Sequence, residues 1–158
     1  MTQTIEYAKT FDGVNIAYSV IGAGMPLVFI PQWPWSNIQA EWGIDIMRGL
    51  YTDLARDAQV VRYDGRGTGS SDRRACDPSL DAMVLDLQAV VQRLGLSRFA
   101  LVGPTLGGPI AIAYAGLFPA QVSHLALWCT SARVNDVYPQ GSEPMDQMAA
   151  TDWNFMTE

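Results

Sequence analysis

Basic residues, cysteine and histidine are all scarce in this chain. Ten Lys and Arg stand against 16 Asp and Glu, a formal net charge of −6 and a sequence pI near 4.6. The average surface field repels a polyanion, so nucleic acid is not an expected partner. Two cysteines, Cys76 in a polar stretch and Cys129 in an apolar run, offer neither a disulfide framework nor a zinc spacing; a reducing, cytoplasmic setting without metal or cofactor is expected. The first seven residues lack the basic stretch and apolar run of a secretory signal. Charge is absent altogether from Phe99 to Ala132, a run long enough to span a bilayer, which takes about 20 apolar residues. Gly103, Pro104, Gly107, Gly108, Pro109, Gly116 and Pro119 cut that run into pieces of strand and helix length, so it reads as buried strand-helix-strand and no membrane association is expected.

What is present is enough apolar material for one domain with a buried core, 49% of the residues. Extended stretches at 4–10 and 14–21 flank Asp12-Gly13, a hairpin signal. Residues 26–31, Pro-Leu-Val-Phe-Ile-Pro, form a short continuous apolar run suited to a strand within a parallel sheet. The Trp-rich stretch 32–43 reads as a loop. Ile44, Met47, Leu50, Tyr51, Leu54 and Ala55 have helical spacing and precede a strand at 59–63. Asp77 and Pro78 suit the N-cap and first position of a helix whose face is Leu80, Met83, Val84, Leu87, Val90, Val91 and Leu94, with Gly95 just past its end. A strand at 98–102, a helix at 106–118 and a strand at 122–129 follow. This alternation predicts an α/β fold: a mostly parallel sheet with an N-terminal antiparallel hairpin and helices on both faces. The composition changes after residue 134, so the core is placed at 1–134 and the start of a cap region or a C-terminal tail at 135–158. There Met145, Met148, Ala149 and Trp153 have the spacing of a short amphipathic helix.

Two motifs sit after predicted strands. Residues 64–72 read Asp-Gly-Arg-Gly-Thr-Gly-Ser-Ser-Asp, and residues 103–108 read Gly-Pro-Thr-Leu-Gly-Gly. The first resembles the D-x-R-G-x-G-x-S turn of α/β-hydrolases and the second their nucleophile elbow, usually G-x-S-x-G. With the order of elements from 4 to 134, the chain resembles the N-terminal half of that fold. The opening pattern, with Tyr7-Ala8-Lys9, Ile16-Ala17-Tyr18 and the 66–69 turn, is most similar to hydrolase-like domains attached to bacterial nucleotide cyclases or transcription regulators.

The resemblance implies that Thr105 occupies the nucleophile position, with a β-branched residue at a site of positive φ. Read from the residues alone, Thr105 is expected to end a strand and cap the next helix through its hydroxyl. A hydroxyl nucleophile needs a base and an acid. The single histidine, His124, is expected at the wrong end of its strand, and the family's acid and His come from later strands beyond these residues; Asp136, in the boundary loop, is expected to be solvated. The oxyanion donors implied are the main-chain N–H of Leu106 and one from the loop Pro31-Gln32-Trp33, with Trp33 as donor and Gln32 where the family has Gly. Trp33, Trp35 and Trp42 serve either as a wall for a small apolar ligand or ester, or as packing under a cap. Asp64 and Arg66 are expected to stabilise the turn as a pair, and Asp12 and Asp45 have no metal-site spacing.

The leading expectation is therefore a hydrolase-like protein with an incomplete triad, non-catalytic in this form: a pseudoenzyme, a ligand-sensing segment or a truncated hydrolase. The alternatives are an esterase of serine-hydrolase type whose acid and His lie outside the chain, and an interaction module. The last draws on strand 122–129, apolar on both faces and expected at a sheet edge, where it would pair in a homodimer unless the tail covers it.

Overall fold

Asp12-Gly13 does turn the chain. Gly13 takes φ 92°, and the Thr10 hydroxyl accepts from Val14 N at 2.8 Å, closing a hairpin of β1 (Glu6–Lys9) and β2 (Asn15–Ile21). This computed structural model describes residues 2–32, 34–73, 77 and 79–133. After the hairpin come β3 (Met25–Phe29), α1 (Ile38–Gly43), α2 (Asp45–Leu54), β4 (Ala58–Tyr63), α3 (Leu80–Arg93), β5 (Phe99–Pro104), a 3₁₀ turn (Thr105–Gly107), α4 (Gly108–Leu117) and β6 (Val122–Trp128).

The strands form one sheet in the order β1-β2-β4-β3-β5-β6. β1, β2 and β4 pair antiparallel, while β4, β3, β5 and β6 run parallel. This is the α/β-hydrolase-like architecture the sequence predicts. The parallel strands bring four loops to one edge: 30–37 after β3, 64–72 after β4, the 105–107 turn after β5 and 129–131 after β6. In an open parallel sheet that edge is where ligands bind.

α3 supplies most of one face. Val84, Leu87, Val90 and Val91 point into a core shared with Ile16, Val28, Leu101 and Ala111. Burying each of the larger side chains is worth roughly 1.5–3 kcal/mol. The helix ends as its Gly95 signal predicts: Gly95 has φ 63°, its N–H reaches Gln92 O and that of Leu96 reaches Val91 O, a Schellman closure. On the other face α2 packs Tyr51 and Ala55 against Ile21 and Val60.

Several element ends shift by one or two residues from expectation, and two differences change what starts a helix. The 32–43 stretch is not wholly loop, because Asn37 accepts from Ala40 N at 2.9 Å and starts α1. α3 starts at Leu80, capped by Ser79 and not by Asp77; the Ser79 hydroxyl accepts from Ala82 N, while Asp77 accepts from Ser79 N two residues on. Among the described residues β6 is an edge strand, with Leu125 40%, Leu127 46% and Trp128 65% exposed. Residues 134–158, with the tail and its Met-rich stretch, lie outside the described residues. No described helix is long and apolar enough to cross a membrane.

Candidate active site

The turn after β4 is built around a buried carboxylate. Asp64 is fully buried; Oδ1 accepts from Ile38 N at 2.8 Å and Oδ2 from Ser70 N at 2.9 Å, tying the start of α1 to the motif turn. Burial, partly offset by those two bonds, pushes its carboxyl up to about 6. Gly69 has φ 49°, and a Cβ there would collide with the Asp64 carboxylate, which accounts for the glycine. The expected Asp64–Arg66 pair does not form. Arg66 bonds instead to Asp86 of α3, through Nε at 3.0 Å and Nη2 at 2.9 Å, and to Asp12 at the hairpin tip, through Nη1 at 2.8 Å. Both motif residues do stabilise the turn, Asp64 through Ser70 within it and Ile38 at the start of α1, and Arg66 through Asp86 and Asp12.

At the end of β5, Thr105 takes φ 44°. For a β-branched residue this is a strained conformation, costing on the order of 1–3 kcal/mol. The sharp turn needs room around it: a Cβ at Gly103 would lie 2.7 Å from Ala111 Cβ, and one at Gly107 would lie 2.8 Å from Ile30 Cγ2. The elbow therefore seats directly on the loop after β3. Thr105 does not cap the helix. No side chain caps α4, which begins at Gly108 with Pro109 in its first turn, and the Thr105 hydroxyl oxygen is buried with no hydrogen-bond partner. A polar atom so placed costs about 1–3 kcal/mol unless a ligand or solvent meets it. Leu106 follows in the first turn, where main-chain N–H groups have no intrahelical acceptor.

Trp33 lies outside the described residues. Gln32 is exposed, its carbonyl accepting from Trp35 N at 2.8 Å, and Trp35 is half exposed. Trp42 is partly buried against the α2 core and lies 5.5 Å from the Arg62 guanidinium. The cleft at this edge is lined by Ile30, Gln32, Ser36, Tyr51, Arg62 and Pro104, among others. Its charged floor escaped the sequence reading. Arg62 is 2% exposed, bonds Glu41 at 2.9 Å through Nη1 and Gln3 through Nη2, and stacks 4.0 Å from the Tyr51 ring, while its Nε has no partner. Burial pushes the Tyr51 phenol up to about 12, and its hydroxyl donates to Glu41 at 3.1 Å. An arginine inside the apolar run 58–63 was the available signal.

His124 pairs with Ala100 in the β5–β6 register, whereas Pro104, next to the elbow, pairs with Trp128. Four strand residues, about 13 Å, separate the two ends. The imidazole is exposed beside the Ser123 hydroxyl at 3.2 Å. The described residues thus bring together an elbow, the loop facing it and a cleft, without a base at the Thr105 hydroxyl. Asp136 lies outside them.

The sequence matches the alpha/beta hydrolase fold family over residues 25–157. It is 31% identical over 144 residues to the AB hydrolase superfamily protein YisY of Bacillus subtilis, covering 89% of this chain and 52% of that protein. Against the soluble epoxide hydrolase of Corynebacterium sp. identity is 28%, covering 72% of this chain and 37% of that enzyme. Among solved structures, an esterase from Exiguobacterium antarcticum superposes with a TM-score of 0.75 at 27% identity, covering 94% of this chain and 55% of that one. The chain spans about half the length of these relatives or less.

Proposed function

The chain belongs to the alpha/beta hydrolase fold family, and from that membership we propose that it binds a small apolar ester or acyl ligand at the Thr105 elbow without turning it over unaided. One observation carries this reading: Thr105 keeps the positive φ of a nucleophile elbow and holds a buried, unpartnered hydroxyl, while the chain's single histidine sits at the opposite end of β6. The ligand's carbonyl would meet the Leu106 N–H and a donor from the 31–33 loop, and its apolar part would run toward Trp33, Trp35 and Trp42. Donors of the main chain persist whatever side chain stands at the elbow. In a cytoplasmic protein such a domain would serve as the sensing input of an attached cyclase or transcription regulator, the setting its opening pattern resembles.

Tryptophan fluorescence tests binding. Titration with medium-chain fatty acids and small aromatic esters is expected to change the emission, and Thr105→Val, which keeps the shape and removes the hydroxyl, is expected to weaken ester binding several-fold. A flat response across the panel removes the ligand-binding reading.

Two further readings each have a specific observation behind them. The Thr105 hydroxyl is not spent on a helix cap, which favours an esterase-type hydrolase in which residues outside this chain supply the acid and the His. The β6 edge, with Leu125, Leu127 and Trp128 exposed and no Lys or Pro in the strand, favours pairing with a second copy about a two-fold axis. Sedimentation velocity is expected to show a concentration-dependent dimer that Leu127→Lys converts to monomer. A wild-type monomer at every concentration argues against the edge.

A further inference from the structure

Thr105 and Cys129 are the two non-glycine residues with positive φ among those described, at 44° and 50°. They stand at the ends of neighbouring parallel strands, and one side chain joins the two turns. Thr130, which follows Cys129, donates its hydroxyl to the main-chain carbonyl of Thr105. It also sits on the first turn of α4, where a Cβ at Gly108 would collide with its side chain. The sequence explains why the acceptor is open to it. In an α-helical turn the Thr105 carbonyl would receive the N–H of residue 109. That residue is Pro109, which has none. Gly108 N reaches the carbonyl in 3₁₀ fashion, and Thr130 supplies the second donor.

The consequence lies in the peptide plane. The Thr105 C=O and the Leu106 N–H belong to one planar trans unit and point in opposite directions. Whatever fixes the carbonyl fixes the direction of the N–H. We propose that Thr130 is a positioning residue of the site: by holding the Thr105 carbonyl it aims the Leu106 N–H at the ligand carbonyl and keeps the elbow in its strained conformation. Cys129 takes a left-handed conformation that turns the chain out of β6 and brings Thr130 over α4. This rests on the reading of the elbow as a carbonyl-binding site.

The test uses the full 158-residue chain as Thr130→Val, which keeps the shape and removes the hydroxyl, and Thr130→Ser, which keeps the hydroxyl. Two readouts are taken: the amide resonance and hydrogen exchange of Leu106, and the affinities for octyl acetate and n-octane by tryptophan fluorescence. In Thr130→Val the Leu106 amide is expected to shift and exchange faster. Octyl acetate is expected to bind about tenfold more weakly, n-octane as before, and Thr130→Ser to restore both readouts. If Thr130→Val does not fold, Thr130→Ala carries the same comparison. An unmoved Leu106 amide, equal losses for ester and alkane, or no rescue by Thr130→Ser overturns the proposal. If the wild-type chain binds neither ligand, the carbonyl-binding reading fails, and the Leu106 amide alone decides whether Thr130 positions it.

Discussion

Asp86→Ala is expected to lower the unfolding free energy by about 3–5 kcal/mol, because it strands a buried guanidinium. Arg66 and Asp86 are 2% and 1% exposed. The Asp86 carboxylate accepts from Arg66 N at 2.9 Å and from Nε at 3.0 Å, and it stands in an ion pair with Nη2 at 2.9 Å. Burial pushes the Asp86 carboxyl above the usual carboxylate range, and the bonds from Arg66 oppose that rise. Removing Asp86 leaves Arg66 with Asp12, whose side chain is 41% exposed and better served by water. The loss is a large fraction of the roughly 5–15 kcal/mol that holds a domain of this size together. Asp12→Ala, at the exposed end of the same network, should cost about 1 kcal/mol or less. Urea unfolding of the two variants checks the asymmetry. Equal and small losses would mean that the network does not anchor the motif turn to α3.

Much of the fold was legible because its signals are local. Asp12-Gly13 makes its hairpin through residues 10–14, and Gly95 closes α3 within two residues of its end. The alternation of strands and helices predicts the parallel order that puts the motifs at one edge. Legibility failed where two local signals compete or where the partner is distant. Asp77 and Ser79 are both good capping residues two positions apart, and only the hydroxyl of Ser79 reaches the N–H of Ala82. The Trp-rich stretch with Pro34 conceals α1, a short helix held by Asn37 and by the bond from Ile38 N to Asp64.

The site divides the same way. That residue 105 stands at a sharp strand-to-helix turn followed from the resemblance of residues 103–108 to the elbow motif. That its hydroxyl is free and not capping did not, because a threonine before a helix reads as a cap in any local window. Arg66 turning to Asp86 and Asp12, Arg62 held by Glu41 and Gln3, and Thr130 reaching Thr105 all depend on pairs 20 to 59 residues apart. Periodicity and turn chemistry contain no information on such pairs.

The expected effect on chemistry of a Thr105 hydroxyl that has no base beside it among the described residues is larger than any of these stability differences. Where a hydroxyl nucleophile works with a base and an acid, removing the nucleophile or the base costs about 10⁶-fold in turnover, and what remains comes from the oxyanion hole and binding. Here the hydroxyl is a hindered secondary alcohol, and the chain's one imidazole stands on β6 four strand residues, about 13 Å, back from the Trp128 end that pairs with Pro104. Thr105→Ser should therefore gain nothing, since relief of crowding does not supply a base. The most direct measurement is hydrolysis of p-nitrophenyl acetate by the purified chain beside Thr105→Ala, Thr105→Ser and His124→Ala. A common residual rate in all four, with no burst of released nitrophenol, is the predicted result. Turnover that disappears in Thr105→Ala and survives in His124→Ala would contradict it, and would make Thr105 a working nucleophile served by a base other than His124.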